Sequence, residues 1–106
     1  MTAYEVLAEP NRRLILDLLA QGELPVGELV ARLGMSQPLV SKHLRVLRES
    51  GLVSSRVDAQ RRFYSIDVGP LAEIDAWIAK FRPFWTGRLD ALESHLEKKR
   101  PRKGER

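Results

Sequence analysis

The stretch MSQPLVSKHLRVLRESGLV, residues 35–53, contains a helix start, an apolar stripe and a helix stop. Ser36 is placed to cap a helix by accepting amide hydrogen bonds. Pro38 suits the first turn, because amides there have no intrahelical partner. These signals predict a helix over about Gln37–Glu49, which Gly51 ends.

The predicted helix has two unlike faces. At about 100° per residue, Val40, Leu44 and Leu47 form the centre of an apolar sector. Three further residues extend this sector on one side: Leu39, His43 and Val46. The opposite sector is polar and basic, and it carries Gln37, Pro38, Ser41, Lys42, Arg45 and Arg48.

Three shorter helices are predicted before this one. The segment AYEVLAEP forms a helix that stops at Pro10, which then opens a second helix lasting until Gly22. The buried face of the second helix is predicted to hold Leu14, Ile15, Leu18 and Leu19, with Arg12, Arg13 and Asp17 outside. VGELVARLG is predicted as a third helix, closed by a left-handed Gly34. Its apolar face carries Val26, Leu29, Val30 and Leu33.

A hairpin is predicted after the quoted stretch. Val53, Ser55 and Val57 alternate along a first strand, and residues 58–60 have the composition of a turn. Tyr64 and Ile66 share one side of the second strand. Three arginines lie near the tip: Arg56, Arg61 and Arg62.

Two C-terminal helices complete the pattern. The first is predicted to start at Pro70 and to be interrupted or kinked at Pro83. Its buried residues are predicted to be Leu71, Ile74, Trp77 and Ile78. The last helix spaces its apolar residues by four, three and four positions, in the order Trp85, Leu89, Leu92 and Leu96. An apolar seam on an otherwise charged helix needs a partner.

Composition limits the possible functions. The chain has 106 residues, no cysteine and a net charge of +4, which predicts one domain with a modest core and excludes disulfide and thiolate chemistry. No stretch approaches the roughly 20 apolar residues of a bilayer-spanning helix, so a cytoplasmic protein without a membrane partner is expected. Residues 98–106 hold six basic residues and one acidic residue. We expect a domain over residues 1–97, followed by a disordered basic tail.

Two short helices joined by a tight turn, followed by a basic hairpin, form a winged helix-turn-helix. The fold class is therefore mainly α with a small β-hairpin wing. A helix of this kind enters the major groove, where glutamine suits adenine and arginine suits guanine. Base readout is assigned to Gln37, Pro38, Ser41, Lys42 and Arg45. Contacts to the DNA backbone are assigned to Ser36, Arg48, Arg56, Arg61 and Arg62, and the tail adds sequence-independent attraction.

The same residues carry a resemblance. LAEPNRRLILDLL, GELPVGELVARLGMSQPLVSKHLRVLRESGLV and RRFYSI together resemble the ArsR, or arsenic-repressor-like, family of bacterial winged-helix transcription regulators. This resemblance implies a homodimeric repressor that binds an inverted-repeat operator, with dimer contacts from the first and last helices. On these helices the interface residues are predicted to be Tyr4, Leu7, Trp85, Leu89, Leu92 and Leu96.

The departures from the family pattern are informative. Metal-sensing members carry ELCVC where this chain has ELPVG, so Pro25 and Gly27 stand at the cysteine positions. The last helix offers only His95 as an imidazole, and a credible metal site needs convergent ligands. We therefore predict no metal and no cofactor, and leave open an unidentified small-molecule effector. The wing has DAQ where many members turn with a glycine.

Other interpretations remain open at this stage. A winged helix used as a protein-interaction module, docking through its final helix, predicts only weak and sequence-indifferent DNA affinity. An enzyme has little support, because carboxylates such as Glu73 and Asp75 have no nucleophile or base near them in sequence. Trp77 and Trp85 are interpreted as core or dimer anchors in preference to an effector cage, and His43 as structural.

Overall fold

We describe the chain from a computed structural model. It covers residues 1–99, without the side chains at positions 89, 90, 94 and 97–99. The elements are, in order, α1 (Ala3–Leu7), α2 (Pro10–Leu19), β1 (Leu24–Pro25), α3 (Val26–Leu33), α4 (Gln37–Glu49), β2 (Val53–Asp58), β3 (Arg61–Ile66), α5 (Val68–Ala79) and α6 (Arg82–Lys99). This mainly α architecture with a small sheet confirms the predicted fold class.

Side-chain caps start the first two helices. Thr2 and Glu5 form a reciprocal capping box at α1, and Glu9 accepts a 3.0 Å hydrogen bond from the amide of Arg12 at the start of α2. The prediction for the buried face of α2 is partly wrong, because Leu14 is 47% exposed and Leu16 is buried. Apolar residues surround much of this helix, so periodicity alone does not choose between adjacent leucines.

The helix-turn-helix consists of α3, a three-residue turn and α4. Gly34 has the left-handed φ of 67° that closes α3. Ser36 Oγ then accepts from the amide of Leu39 at 3.4 Å, and α4 has the predicted bounds. Gly51, at φ 80°, follows its end.

The wing belongs to a three-stranded antiparallel sheet with the order β1-β3-β2. The sequence analysis missed β1, a two-residue strand that aligns Leu24 with Tyr64 and Pro25 with Phe63. The hairpin turn is tighter than predicted, because Asp58 already pairs with Arg61 as the last residue of β2. Ala59 occupies the turn at φ 57°, a conformation that glycine adopts at lower cost.

The compact unit of residues 1–74 contains the core. Ten apolar side chains are buried there: Val6, Ile15, Leu16, Leu19, Leu29, Val40, Leu44, Leu47, Leu52 and Val53. They come from α1 to α4, from Leu52 just before β2 and from the start of β2, and Tyr64, Ile66 and Leu71 pack against them. The buried side chains on the inner face of α4 therefore fix this helix against the core.

The C-terminal helices differ from the prediction in their bounds. α5 starts at Val68, two residues before Pro70, because Asp67 Oδ1 accepts the amide of Gly69 at 3.1 Å and caps the helix. None of its described residues is fully buried, and Trp77 is 49% exposed. Pro83 does not kink a continuous helix; it lies in the first turn of α6, where proline is tolerated.

A second compact unit begins at Asp75, within the range predicted as one domain. Arg82 and Asp75 form a 2.7 Å ion pair in it. α6 runs to Lys99, two residues into the predicted tail, and positions 100–106 lie outside the described residues. Among the described helices, none has the length and apolarity needed to cross a bilayer.

Candidate nucleic-acid interface

The N-terminal turn of α4 presents the first candidate residues. Gln37, Pro38 and Ser41 are exposed, and the Ser36 cap fixes the turn that carries them. Ser41 lies one turn after Gln37, so these two side chains point to the same side of the helix. Hydrogen-bonding groups at the exposed start of a helix are suited to reach base edges.

The two faces of α4 separate as predicted except at Leu39, which was predicted in the apolar sector and is 39% exposed. Val40, His43, Leu44 and Leu47 are buried, whereas the basic side chains of the outer face are exposed. His43 Nδ1 has no hydrogen-bond partner among the described residues. His43 therefore fills the inner face, and the outer face keeps its polar groups in solvent.

A cleft of about 390 Å³ lies between the outer face of α4 and strand β3. Its lining is Pro38, Ser41, Lys42, Arg45, Arg48, Arg62 and Tyr64. Six of these seven residues were assigned to DNA from the sequence. Four are cations and none is an acid, and among the described side chains no acidic group forms an ion pair with any of the four. The cleft is therefore an electropositive groove beside a helix.

Tyr64 is the lining residue that the sequence analysis did not assign to the interface. It was predicted on the apolar side of a strand, and its ring does pack against the core. Arg62 and Tyr64 are two residues apart on β3, so both side chains leave the same face of the sheet. The alternation along β3 indicates that Tyr64 shares a face with Arg62. Only the position of β3 beside α4 shows that this face lines the cleft.

The three wing arginines do not act as one group. Arg62 lies in the cleft, and its Nη1 donates to Ser55 Oγ at 3.2 Å. Arg56 and Arg61 leave the opposite face of the sheet, where their guanidinium carbons lie 4.9 and 5.3 Å from the ring centroid of Phe63. The structure thus brings Arg62 to α4 and places Arg56 and Arg61 on the face of the sheet that does not line the cleft.

Arg56 has an acidic partner that the sequence analysis missed. Its Nε and Nη2 donate to the two carboxylate oxygens of Glu23 at 2.9 and 2.7 Å, and Asp58 lies 3.7 Å from Nη1. The hydrogen bonds from Arg56 lower the pKa of Glu23 below its usual value, and Glu23 in turn raises the pKa of Arg56. Arg56 was predicted to contact the DNA backbone, yet in this structure its charge is paired within the chain.

The comparisons with known proteins agree with this geometry. A family model described as "Bacterial regulatory protein, arsR family" matches residues 9–55. The "HTH-type transcriptional regulator Rv2034" of Mycobacterium tuberculosis is 41% identical over 87 residues, which are 82% of this chain and 78% of that protein. The chain belongs to the ArsR family. It is therefore similar in sequence and in fold to DNA-binding transcription regulators, and the predicted resemblance is confirmed.

Two further comparisons extend the ArsR assignment. The "Biofilm growth-associated repressor" of Agrobacterium fabrum is 47% identical over 62 residues, covering 58% of this chain and 53% of that protein. A crystal structure described as a "Possible transcriptional regulator for arsenical resistance" is 43% identical with a TM-score of 0.66, and the match covers 86% of this chain and 92% of that one. This ArsR-family chain thus shares the winged-helix fold with its relatives.

The residues predicted for an ArsR-type dimer interface are exposed to different degrees. Tyr4 is exposed on α1, and Leu7 is partly buried. On α6, Leu92 and Leu96 are 54% and 50% exposed, whereas Trp85 is partly buried. The side chain at position 89 lies outside the described residues.

The second unit also carries an apolar groove of about 440 Å³. It is lined by Trp77, Ile78, Phe81, Phe84 and Trp85. The rings of Trp77 and Phe81 lie 4.9 Å apart between centroids, and Phe84 is exposed. The described residues of the second unit therefore leave aromatic surface exposed to solvent.

Proposed function

We propose that this ArsR-family chain is a homodimeric repressor that binds an inverted-repeat operator, including one upstream of its own gene, in the cytoplasm. The observation that carries the proposal is the cleft beside α4. Lys42, Arg45 and Arg48 from the helix converge there with Arg62 from the wing. Cations along one groove suit the phosphates on either side of a major groove, and Arg45 among them can also reach a base edge.

Base recognition is assigned to the exposed N-terminal part of α4. Gln37 has the donor and acceptor geometry for adenine, and Arg45 has the fork that pairs with guanine. Ser41 serves either base edge, and Pro38 offers apolar contact. Lys42 lies beside them, in the cleft that supplies phosphate contacts. Ser36, which caps α4, lies at the same end of the helix and is assigned to the DNA backbone.

The dimer is supported by apolar surface that the single chain leaves exposed. Leu92 and Leu96 lie one turn apart on α6, and each is about half exposed. A second copy would remove this surface and the aromatic groove from water, at roughly 25 cal/mol for each Å² buried. Two-fold symmetry would then place the two recognition helices about 34–36 Å apart, or a multiple of that spacing, on a palindromic site.

Fluorescence anisotropy tests the DNA-binding part of the proposal. The duplex immediately upstream of the chain's own gene is titrated beside a scrambled duplex of equal composition, each at two salt concentrations. Tighter binding to the native duplex, falling steeply with salt, is the expected result. Equal and weak binding to both would favour a protein-interaction module, and a reporter fused to the same upstream region separates repression from activation.

A further inference from the structure

Glu23 and Arg56 meet across the middle strand of the wing sheet. The register aligns Pro25 of β1 with Phe63 of β3, and Phe63 with Arg56 of β2. Arg56 extends over the Phe63 ring, with its guanidinium carbon 4.9 Å from the ring centroid, and reaches Glu23 just before the start of β1. Glu23 lies directly before β1, so the edge strand sets its position.

The contact occupies one edge of the Arg56 guanidinium and both carboxylate oxygens of Glu23. Each carboxylate oxygen of Glu23 accepts one hydrogen bond, at 2.9 Å from Nε and 2.7 Å from Nη2 of Arg56. This is the bidentate arrangement that arginine otherwise makes with phosphate. A guanidinium held in this way has the Nε–Nη2 edge of its planar fork occupied, so this edge is not available to a phosphate of DNA.

The geometry of the sheet adds a second constraint. Arg62 and Tyr64 face the cleft beside α4, whereas Arg56 and Phe63 lie on the other face of the same strands. Sheet register therefore places Arg56 on the side of the wing turned away from that cleft, and the bond to Glu23 keeps its guanidinium over Phe63 on that side. A solvent-exposed ion pair contributes little to stability, so fold stability alone is a weak reason for this one.

We propose that Glu23 is a positioning residue for DNA binding, which holds Arg56 away from phosphates and so limits sequence-independent affinity. This inference rests on the proposed DNA-binding function. The cations of the cleft stay available to DNA, whereas the charge of Arg56 on the other face of the sheet is neutralised by Glu23. Selectivity for the operator then depends on the groove between α4 and Arg62.

Four variants of the full chain test the proposal: Glu23→Gln, Arg56→Gln, the double variant, and Glu73→Gln. The first two break the same ion pair, so they share any damage to the hairpin and differ in whether a cation is released. Glu73→Gln removes one negative charge from an exposed site on α5 and controls for net charge. The readout is anisotropy on a scrambled duplex and on the upstream duplex over a series of KCl concentrations.

The expected result is specific to Glu23→Gln. Releasing one cation to a phosphate should steepen the slope of log K against log[salt] by about 0.9, and tighten binding to the scrambled duplex by about five- to tenfold at low salt. Binding to the upstream duplex should tighten by a similar factor, because a phosphate contact carries no base information. Arg56→Gln and the double variant should keep the wild-type slope, and Glu73→Gln should change it by much less.

Two results would overturn the inference alone. If Glu23→Gln keeps the wild-type slope while the wild type binds DNA normally, Glu23 does not restrain Arg56, and the proposed function still stands. If Glu23→Gln and Arg56→Gln weaken binding equally, the ion pair only supports the hairpin. Absence of salt-dependent binding by the wild type would instead overturn the proposed function, and this inference with it.

Discussion

Arg62 and Ser55 lie on neighbouring strands of the wing, and Arg62 Nη1 donates a 3.2 Å hydrogen bond to Ser55 Oγ. This bond orients the guanidinium on the face that lines the cleft with α4. A side chain already ordered before binding loses less freedom when it meets a phosphate. Arg62 is therefore the wing residue best placed to fix the orientation of DNA against the helix.

Replacing Arg62 with Ala is expected to weaken binding to every duplex by a similar factor, because a phosphate contact carries no base information. The slope of log K against log[salt] should become shallower by about 0.9. Anisotropy titrations on the upstream and scrambled duplexes measure both effects. Arg56→Ala removes an arginine whose guanidinium is paired with Glu23, so it is the matched control and should change the slope less. Equal slopes for the two variants would contradict the assignment of Arg62 to the cleft.

Replacing Gln37 with Ala is expected to change base preference at one position in each half-site, since this side chain lies at the exposed start of α4. Loss of a good bidentate contact reduces discrimination against the wrong base by about 1–3 kcal/mol. Selection from a randomised duplex library, followed by sequencing, reports the consensus. Gln21→Ala, an exposed glutamine outside α4, should leave the consensus unaltered. An unchanged consensus for Gln37→Ala would exclude it from base readout.

Two glycine substitutions should have opposite effects on stability. Gly34 has a φ of 67° and nothing within 4 Å of an added Cβ, so Gly34→Ala is expected to destabilise the fold by about 1–2 kcal/mol through backbone strain alone. Gly27 lies inside α3 with the same free space, so Gly27→Ala should stabilise by about 0.5–1 kcal/mol. Urea denaturation measures both changes. Destabilisation of similar size in both variants would mean that steric contacts of the added methyl group, and not the backbone φ, determine the change in the free energy of unfolding.

The ion pair of Glu23 predicts a pH dependence of stability. Arg56 lowers the folded-state pKa of Glu23 below its ordinary value of 4.5. The pair therefore stabilises the fold above pH 4.5, and this contribution is lost as the pH falls through the lowered value. Thermal unfolding of wild type and Glu23→Gln should show a constant difference from pH 7 to about 5 that disappears at lower pH. A difference that grows on acidification would contradict the sign of the shift.

The predicted dimer depends on the exposed leucines of α6. Leu92→Glu and Leu96→Glu place charges on the apolar seam and should shift the chain toward monomer, because burying an unpaired carboxylate is costly. Sedimentation velocity at several micromolar concentrations measures the change. Glu93→Gln alters a neighbouring exposed position and should leave the sedimentation coefficient as it is in the wild type. A wild-type chain that sediments as a monomer would remove the basis for the palindromic operator.

Most of the helix-turn-helix was predictable because its signals are local. Ser36 and Gly51 each lie within two residues of one end of α4, and helical periodicity separates Leu44 and Leu47 from the basic face. The same local rules failed on α2, where neighbouring positions are equally apolar and periodicity does not show which of them is buried. Leu14 and Leu16 are two residues apart on one helix, and only packing against the other helices decided which of them is buried.

The sequence by itself determined the polar, basic face of α4, because one helix has a fixed periodicity that its own residues reveal. Only the tertiary structure decided which wing arginine joins that face. Arg56 and Glu23 are 33 positions apart, and their contact depends on a two-residue strand that has no sequence signature of its own. Sheet register placed Arg62 and Tyr64 in the cleft and Arg56 behind it, since alternate residues of a strand leave opposite faces and the neighbouring strands determine what each face meets.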